Sequence, residues 1–300
     1  MYKSYDPKEI PTTQLHEYLL STIAPRPIAW ASTIDENGKV NLAPFSFFNV
    51  FGSNPPTLIF SPARRVRDNT TKHTLQNAMA TKEVVINIAS YNQVGQMMLS
   101  SAEFEDDVNE FEAANLTAEP SLKVRPPRVK ESPAQFECIV RNVIETGDKG
   151  GAGNLIICEI VHVHLREDIF DGERIDPRKV DNVARMGYLY YTRAADGLFE
   201  LPNPKGNTGL GFGRLPEFVS KSHTLTGNEL ARLASISYIP GNDEIRMVET
   251  SPGMHDILEK YGDSKVELQS KLHNLAKTLI NENKLEEAWR VLYAFRDRLD

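Results

Sequence analysis

At 300 residues the chain is long enough for one large domain, or for a medium domain with an appendage. Hydrophobic residues at 40% and charged residues at 25% sit in the ordinary globular range, which excludes disordered and fibrous classes. The formal net charge of -7 excludes a general nucleic-acid binder, because neutralising many phosphates takes a broad basic face. Two cysteines, Cys138 and Cys158, are too few for a disulfide framework and too far apart for a C-x-x-C metal site, which suits a reducing compartment. No run of about 18 apolar residues spans a membrane. The start "MYKSYDPKEIPTTQ" has no apolar signal-peptide region, so the expectation is a cytoplasmic protein.

In chain order, "RPIAWASTI" at 26–34 reads as a strand, and Asn37-Gly38 as the tight turn of a hairpin. The returning strand "VNLAPFSFFNVFG", 40–52, contains Pro44, which implies an edge, a bulge or an interruption. "NPPTLIFSPA" gives a turn and a third strand, followed by a basic loop and a helix beginning near "TTKHTLQNAMAT". A buried-type strand at 83–90 and a helical stretch at 91–102 come next. The acids Glu103, Glu105, Asp106 and Asp107 read as a solvated loop or the start of a cap. "QFECIVRNVIETG" and "NLIICEIVHVHL" are β-branched strands joined by the Gly-rich "DKGGAGN". Strands that do not alternate strictly with helices predict a mainly β fold with α insertions, a closed or split barrel rather than a parallel sheet. Beyond about residue 200 the pattern turns helical. Thr226 with Glu229, and Ser264 with Glu267, have capping-box spacing. Leu268, Leu272, Leu275 and Leu279 stripe one helix of an αα-hairpin across "NENK"; that stripe needs burial, on the barrel or in an extended dimer interface.

The loop "SPARRVRDNTTKHTLQN", 61–77, gathers Arg64, Arg65, Arg67 and Lys72 against the single acid Asp68. A loop feeding a helix N-terminus combines backbone N–H groups with partial positive charge, the physical recipe for holding phosphate. Thr70, Thr71 and Thr74 offer hydroxyls, and Arg67 and Lys72 charge. The alternative is a solvated loop capped by Asp68 or Asn69. The G-x-x-x-x-G-K-[ST] pattern of nucleoside triphosphate hydrolysis is missing. "GLGFG", with Gly209, Gly211 and Gly213, lacks the strand-turn-helix setting of a dinucleotide fingerprint. His162 and His164 share a strand face, but no third metal ligand accompanies them. No nucleophile elbow or hydrolase dyad is present. "APFSFF" either packs as ordinary core or offers aromatic rings and unpaired backbone donors to a flat heteroaromatic ring.

The ordered series from "RPIAWASTI" through "TTKHTLQN", "EVVINI", "SPAQFECIV", "IICEIVHVHL" and "VARMGYLYY" resembles the flavin reductase-like family of FMN-binding split barrels, which includes flavoredoxin-like proteins. The resemblance implies an FMN-binding split-barrel domain over 1–205, leaving 220–300 as a helical extension outside it. It implies a homodimer with FMN bound noncovalently near the interface, and NAD(P)H passing hydride to the flavin, which reduces free flavin or another acceptor. Carried over by motif, Ser32 and Thr33 approach the flavin, and Phe45, Ser46 and Phe47 line the ring. Arg67, Asn69, Thr71, Lys72 and Thr74 hold the phosphate, and Ser61 is a further cofactor-binding residue. Arg185 matches a family arginine without an assigned role. No catalytic side chain is implied. A non-catalytic electron carrier is the alternative, and a barrel that has exchanged flavin for another cofactor such as heme a third reading.

Overall fold

The computed structural model describes residues 1–102, 104, 108–201 and 209–299, so Glu103, Glu105, Asp106 and Asp107 lie outside the described residues. The chain divides into two compact units, Met1–Phe199 and Glu200–Asp300.

The first unit opens with helix α1 (Thr12–Thr22), strands β1 (Ala29–Ile34), β2 (Val40–Phe45), β3 (Phe48–Ser53) and β4 (Pro56–Phe60), helix α2 (His73–Thr81) and strand β5 (Glu83–Ile88). Short helices α3 (Val94–Leu99) and α4 (Glu110–Ala113) and the small pair β6 (Ala118–Glu119) and β7 (Arg128–Val129) lead to two long strands. These are β8 (Ala134–Glu145) and β9 (Asn154–Leu165). The unit closes with β10 (Phe170–Asp171), β11 (Arg174–Ile175), α5 (Pro177–Val180), β12 (Val183–Arg185) and β13 (Tyr191–Arg193).

Seven strands form one antiparallel sheet in the order β2-β1-β5-β8-β9-β4-β3. Its two edge strands, β2 and β3, are consecutive in sequence and joined only by Ser46 and Phe47. A chain rises about 3.3 Å per residue, so two residues cannot cross a flat seven-stranded sheet. The sheet curls until its edges meet, a split barrel whose seam lies at Ser46 and Phe47. Pro44 sits on an edge strand and stays in register opposite Trp30, while the break falls two residues later, at Ser46.

Alternation along β1 sorts the unit into two cores. Ala29 and Ala31 join Phe45, Phe60, Leu75, Val84, Ile86, Cys138 and Cys158. Trp30 faces the other way, with Leu42, Met97, Phe111 and Val129. Burial on both faces explains why β1 is nearly all buried. Trp30 satisfies its indole by donating from Nε1 to Ser100 Oγ at 2.9 Å.

The second unit holds α6 (Glu217–Ser220), α7 (Gly227–Ala234), α8 (Asn242–Glu249), α9 (Pro252–Tyr261), α10 (Lys265–Asn281), α11 (Leu285–Tyr293) and α12 (Arg296–Leu299). Thr226 and Glu229 make the reciprocal capping box. Ser264 makes half of one, accepting from Glu267 N. Leu268 and Leu272 are buried as the spacing predicts, and the stripe continues through Ala276 and Ile280, with Leu275 and Leu279 only partly covered. These residues pack with Leu233, Met254, Trp289 and Leu292, so the unit has a core of its own. Gly209 packs where a Cβ would lie 2.4 Å from Ala234 O, and Gly211 has open space around it but takes φ +70, a conformation glycine adopts without penalty.

Candidate functional site

The site begins where β4 ends. Ser61 N donates to Phe47 O at 2.8 Å, tying the start of the basic loop to the seam, and Ser61 Oγ accepts from Asn154 N at 2.9 Å. The loop is then braced from below by the β8–β9 connection. Arg64 N donates to Ala152 O at 2.8 Å, Gly151 N to Arg64 O at 3.0 Å, and Asn69 Nδ2 to Asp148 O at 2.9 Å. Gly150 comes so close that a Cβ there would stand 3.0 Å from both Arg65 O and Val66 O.

Within the loop much of the positive charge has a structural task. Arg64 Nε donates to Asn69 Oδ1 at 2.8 Å, and Arg65 donates to Thr70 Oγ1 at 2.9 Å and Thr71 O at 3.0 Å. Asn69 sits at φ 58, a left-handed conformation that asparagine tolerates, and so turns the loop. The Thr70 hydroxyl and amide, with Arg67 at 3.0 Å, hold the Asp68 carboxyl down to about 2. Asp68 therefore remains charged and partly offsets Arg67. Thr71 Oγ1 accepts from Gln76 Nε2 at 3.1 Å.

Helix α2 then starts with Lys72 as its N-cap residue, with no side-chain cap and no acid in the first turn. Neither Asp68 nor Asn69 caps it. The Lys72 ammonium lies 5.1 Å above the Phe45 ring, which joins the loop to the aromatic seam. Thr74 is buried, and its Oγ1 accepts from Asn41 Nδ2 at 2.9 Å. Asn41 also donates to Thr33 Oγ1 at 3.3 Å, and Asn77 donates to the same oxygen at 3.2 Å. Four side chains from β1, β2 and α2 thus fix the helix start against the hairpin.

The structure brings Phe45, Ser46, Phe47, Ser61 and Lys72 around the seam and joins Thr33 to Thr74 through Asn41, four residues along β2 from Phe45, with Arg67, Asn69 and Thr71 on the loop above. It does not bring Ser32 to them. Ser32 follows Trp30 onto the other sheet face, fully buried, and its Oγ has no hydrogen-bond partner. Three residues of this region escaped the sequence reading: Arg26, Asn41 and Asn77. The signal for Asn77 was its position one helical turn after Thr74. For Asn41 it was a polar residue pairing directly with Thr33. Arg26 gave no local signal, because its partners come from distant segments.

His164 makes a contact across the β8–β9 pair, and His162 stacks edge-on against its ring with centroids 4.7 Å apart. His164 Nε2 lies 2.6 Å from Oε1 of Glu137, a buried carboxylate that also accepts from Leu122 N and Lys123 N. Burial pushes Glu137 up, but those hydrogen bonds outweigh it and leave its pKa below the ordinary value. Among the described residues no group of three metal ligands exists. Cys138 and Cys158 are free thiols in the barrel core, and burial pushes both up, Cys158 to about 12.

The flavin reductase like domain model matches residues 21–198. The chain is 38% identical over 188 residues to a protein of Aquifex aeolicus, covering 62% of this chain and 93% of that one. Among solved structures, component B of nitrilotriacetate monooxygenase from Bacillus cereus aligns with a TM-score of 0.63 at 28% identity, over 67% of this chain and 99% of its own. The 2-nitrobenzoate 2-nitroreductase of Pseudomonas fluorescens aligns at 0.59 with 25% identity, over 70% and 100%. With its seven-stranded split barrel and this match across most of the first unit, the chain belongs to the flavin reductase like family.

Proposed function

We propose that the first unit binds FMN and acts as an NAD(P)H-dependent flavin reductase, passing electrons to free flavin or another small acceptor. The observation that carries this reading is the start of α2. It is a helix N-terminus with no side-chain cap and no first-turn acid, with Lys72 at its entrance, held against the β1–β2 hairpin by the Thr33, Asn41, Thr74 and Asn77 network. Such an end favours an anion both by its N–H groups and by its dipole. Arg67, Asn69, Thr71, Lys72 and Thr74 are the residues that would hold the phosphate. Phe45, Ser46 and Phe47 would hold the ring, on a backbone fixed by Thr33 and Ser61; Ser32 would contribute through its main chain only.

Bound FMN supplies hydride acceptance and electron release, and the protein supplies binding and orientation. Ser46 and Phe47 belong to neither strand, so their amides are not spent on strand pairing and would stabilise negative charge on the ring. The redox names carried by the two similar solved structures support an oxidoreductase reading. Exposed apolar side chains of this unit, Phe51 at 64% and Leu189 at 85%, support a homodimer. The free buried thiols agree with a cytoplasmic setting.

The test is the absorption spectrum of the purified protein, mass identification of any chromophore released by heat, and anaerobic addition of NADH or NADPH. FMN that bleaches on addition is the expected result, with Lys72→Gln weakening FMN binding about tenfold or more through loss of a charge-assisted contact. A protein that refuses added FMN overturns the assignment. FMN that stays oxidised with both nucleotides shifts the reading to an electron carrier reduced by another protein.

A further inference from the structure

Beside the seam the first unit holds a cavity of about 290 Å³, lined by Arg26, Arg185, Ser46, Ile28, Met97 and Met98 among others. Arg26 is only 6% exposed. Its guanidinium donates to Ile23 O at 2.8 Å, Met186 O at 2.9 Å, Leu20 O and Ser46 Oγ at 3.4 Å, all neutral acceptors. Arg185 donates to Tyr188 O at 2.5 Å and stacks 4.7 Å from the centroid of the Tyr191 ring. Among the described residues the hydrogen bonds of both guanidiniums go to neutral oxygens, and no carboxylate lines the cavity. The two are close enough that burial first, and the Arg185 charge second, lower the Arg26 pKa.

Buried charges are ordinarily paired, since taking a cation out of water without a counter-charge costs several kcal/mol. Here two like charges share one cavity, whose other walls are mainly thioether, aliphatic and aromatic, with the hydroxyls of Ser46 and Ser101 among them. An anion with an apolar body would complement both the charge and the walls. We propose that this cavity is the subsite for an aromatic carboxylate, its carboxylate on Arg185 and Arg26 and its ring between Met97, Met98 and Ile28. Guanidinium binds carboxylate through paired, charge-assisted hydrogen bonds, and methionine sulfur favours an aromatic neighbour. The inference deepens the proposed function by naming a substrate class, and it rests on that reading because Phe45 and Ser46 belong to both sites.

The test is calorimetric titration of the full-length protein, as purified and after saturation with FMN, using benzoate and its neutral analogue benzyl alcohol. Benzoate is expected to bind at least about tenfold more tightly than benzyl alcohol with FMN in place, and Arg185→Gln to lose about that factor. Should the variant fail to fold, the benzoate and benzyl alcohol comparison on the unaltered protein decides. Equal binding of the two probes, no binding of benzoate, or displacement of benzoate by FMN each overturns the subsite. Preference for benzoate in a protein that takes up no FMN upholds the subsite and removes the flavin reading.

Discussion

Replacing Gly150 by alanine tests whether the β8–β9 connection sets the shape of the basic loop. The added Cβ would sit 3.0 Å from Arg65 O, 3.0 Å from Val66 O and 3.1 Å from Val66 Cα. All three are backbone atoms, so no side chain can swing aside, and the loop itself must retreat by a few tenths of an ångström. That retreat strains the hydrogen bonds between Arg64 and Ala152, Gly151 and Arg64, and Asn69 and Asp148. Overpacking of this kind costs about 1–3 kcal/mol. For a unit of this size the cost corresponds to a fall of roughly 3–10 °C in the melting temperature. Because the same loop leads into Lys72, FMN affinity, read by quenching of flavin fluorescence, should fall about tenfold in parallel. Unchanged melting temperature and unchanged affinity would refute the claim that the two loops are locked together. Loss of stability with full affinity would refute only the link from the loop to the phosphate.

Three further outcomes follow from named contacts. Glu137→Ala should destabilise the first unit by about 1–3 kcal/mol in urea unfolding, since it removes the carboxylate that accepts from the N–H groups of Leu122 and Lys123 and partners His164. Leu272→Ala, at a fully buried site in the second unit, should cost about 2–5 kcal/mol by the same measurement and leave FMN binding unchanged. His273 is buried, its Nδ1 lies 2.7 Å from Ser222 Oγ, and burial lowers its pKa. Its unfolded form therefore binds protons first, so stability is full above the ordinary histidine pKa of about 6.5 and declines as pH falls below it. Calorimetry of the second unit's transition between pH 7.5 and 5 should show that decline, and His273→Leu should flatten it.

Features set by neighbouring residues were legible in the sequence. Asn37-Gly38 turns the β1–β2 hairpin with Gly38 at φ +91, a conformation open to glycine without penalty. Thr226 and Glu229 cap α7 because the capping box is a contact across three residues. The ordered motifs from "RPIAWASTI" to "VARMGYLYY" sufficed to indicate the family and the split barrel, and the basic loop leading to a helix start was visible as charge and spacing. Strand pairing and close approach needed the tertiary structure, because they join residues far apart in sequence. Only the long-range pairings of β1 with β5 and of β4 with β9 send the consecutive strands β2 and β3 to opposite edges of one sheet and put the break at Ser46 rather than at Pro44. Pleat alternation, once both faces of β1 are covered, sends Thr33 toward α2 and Ser32 away from it. The antiparallel bridge between Arg26 and Arg185 brings two cations to one cavity, a juxtaposition no local pattern encodes. The sequence alone thus determined what is local in space and in chain, while the identity of the groups that face a ligand was decided by which distant segments the fold closes together.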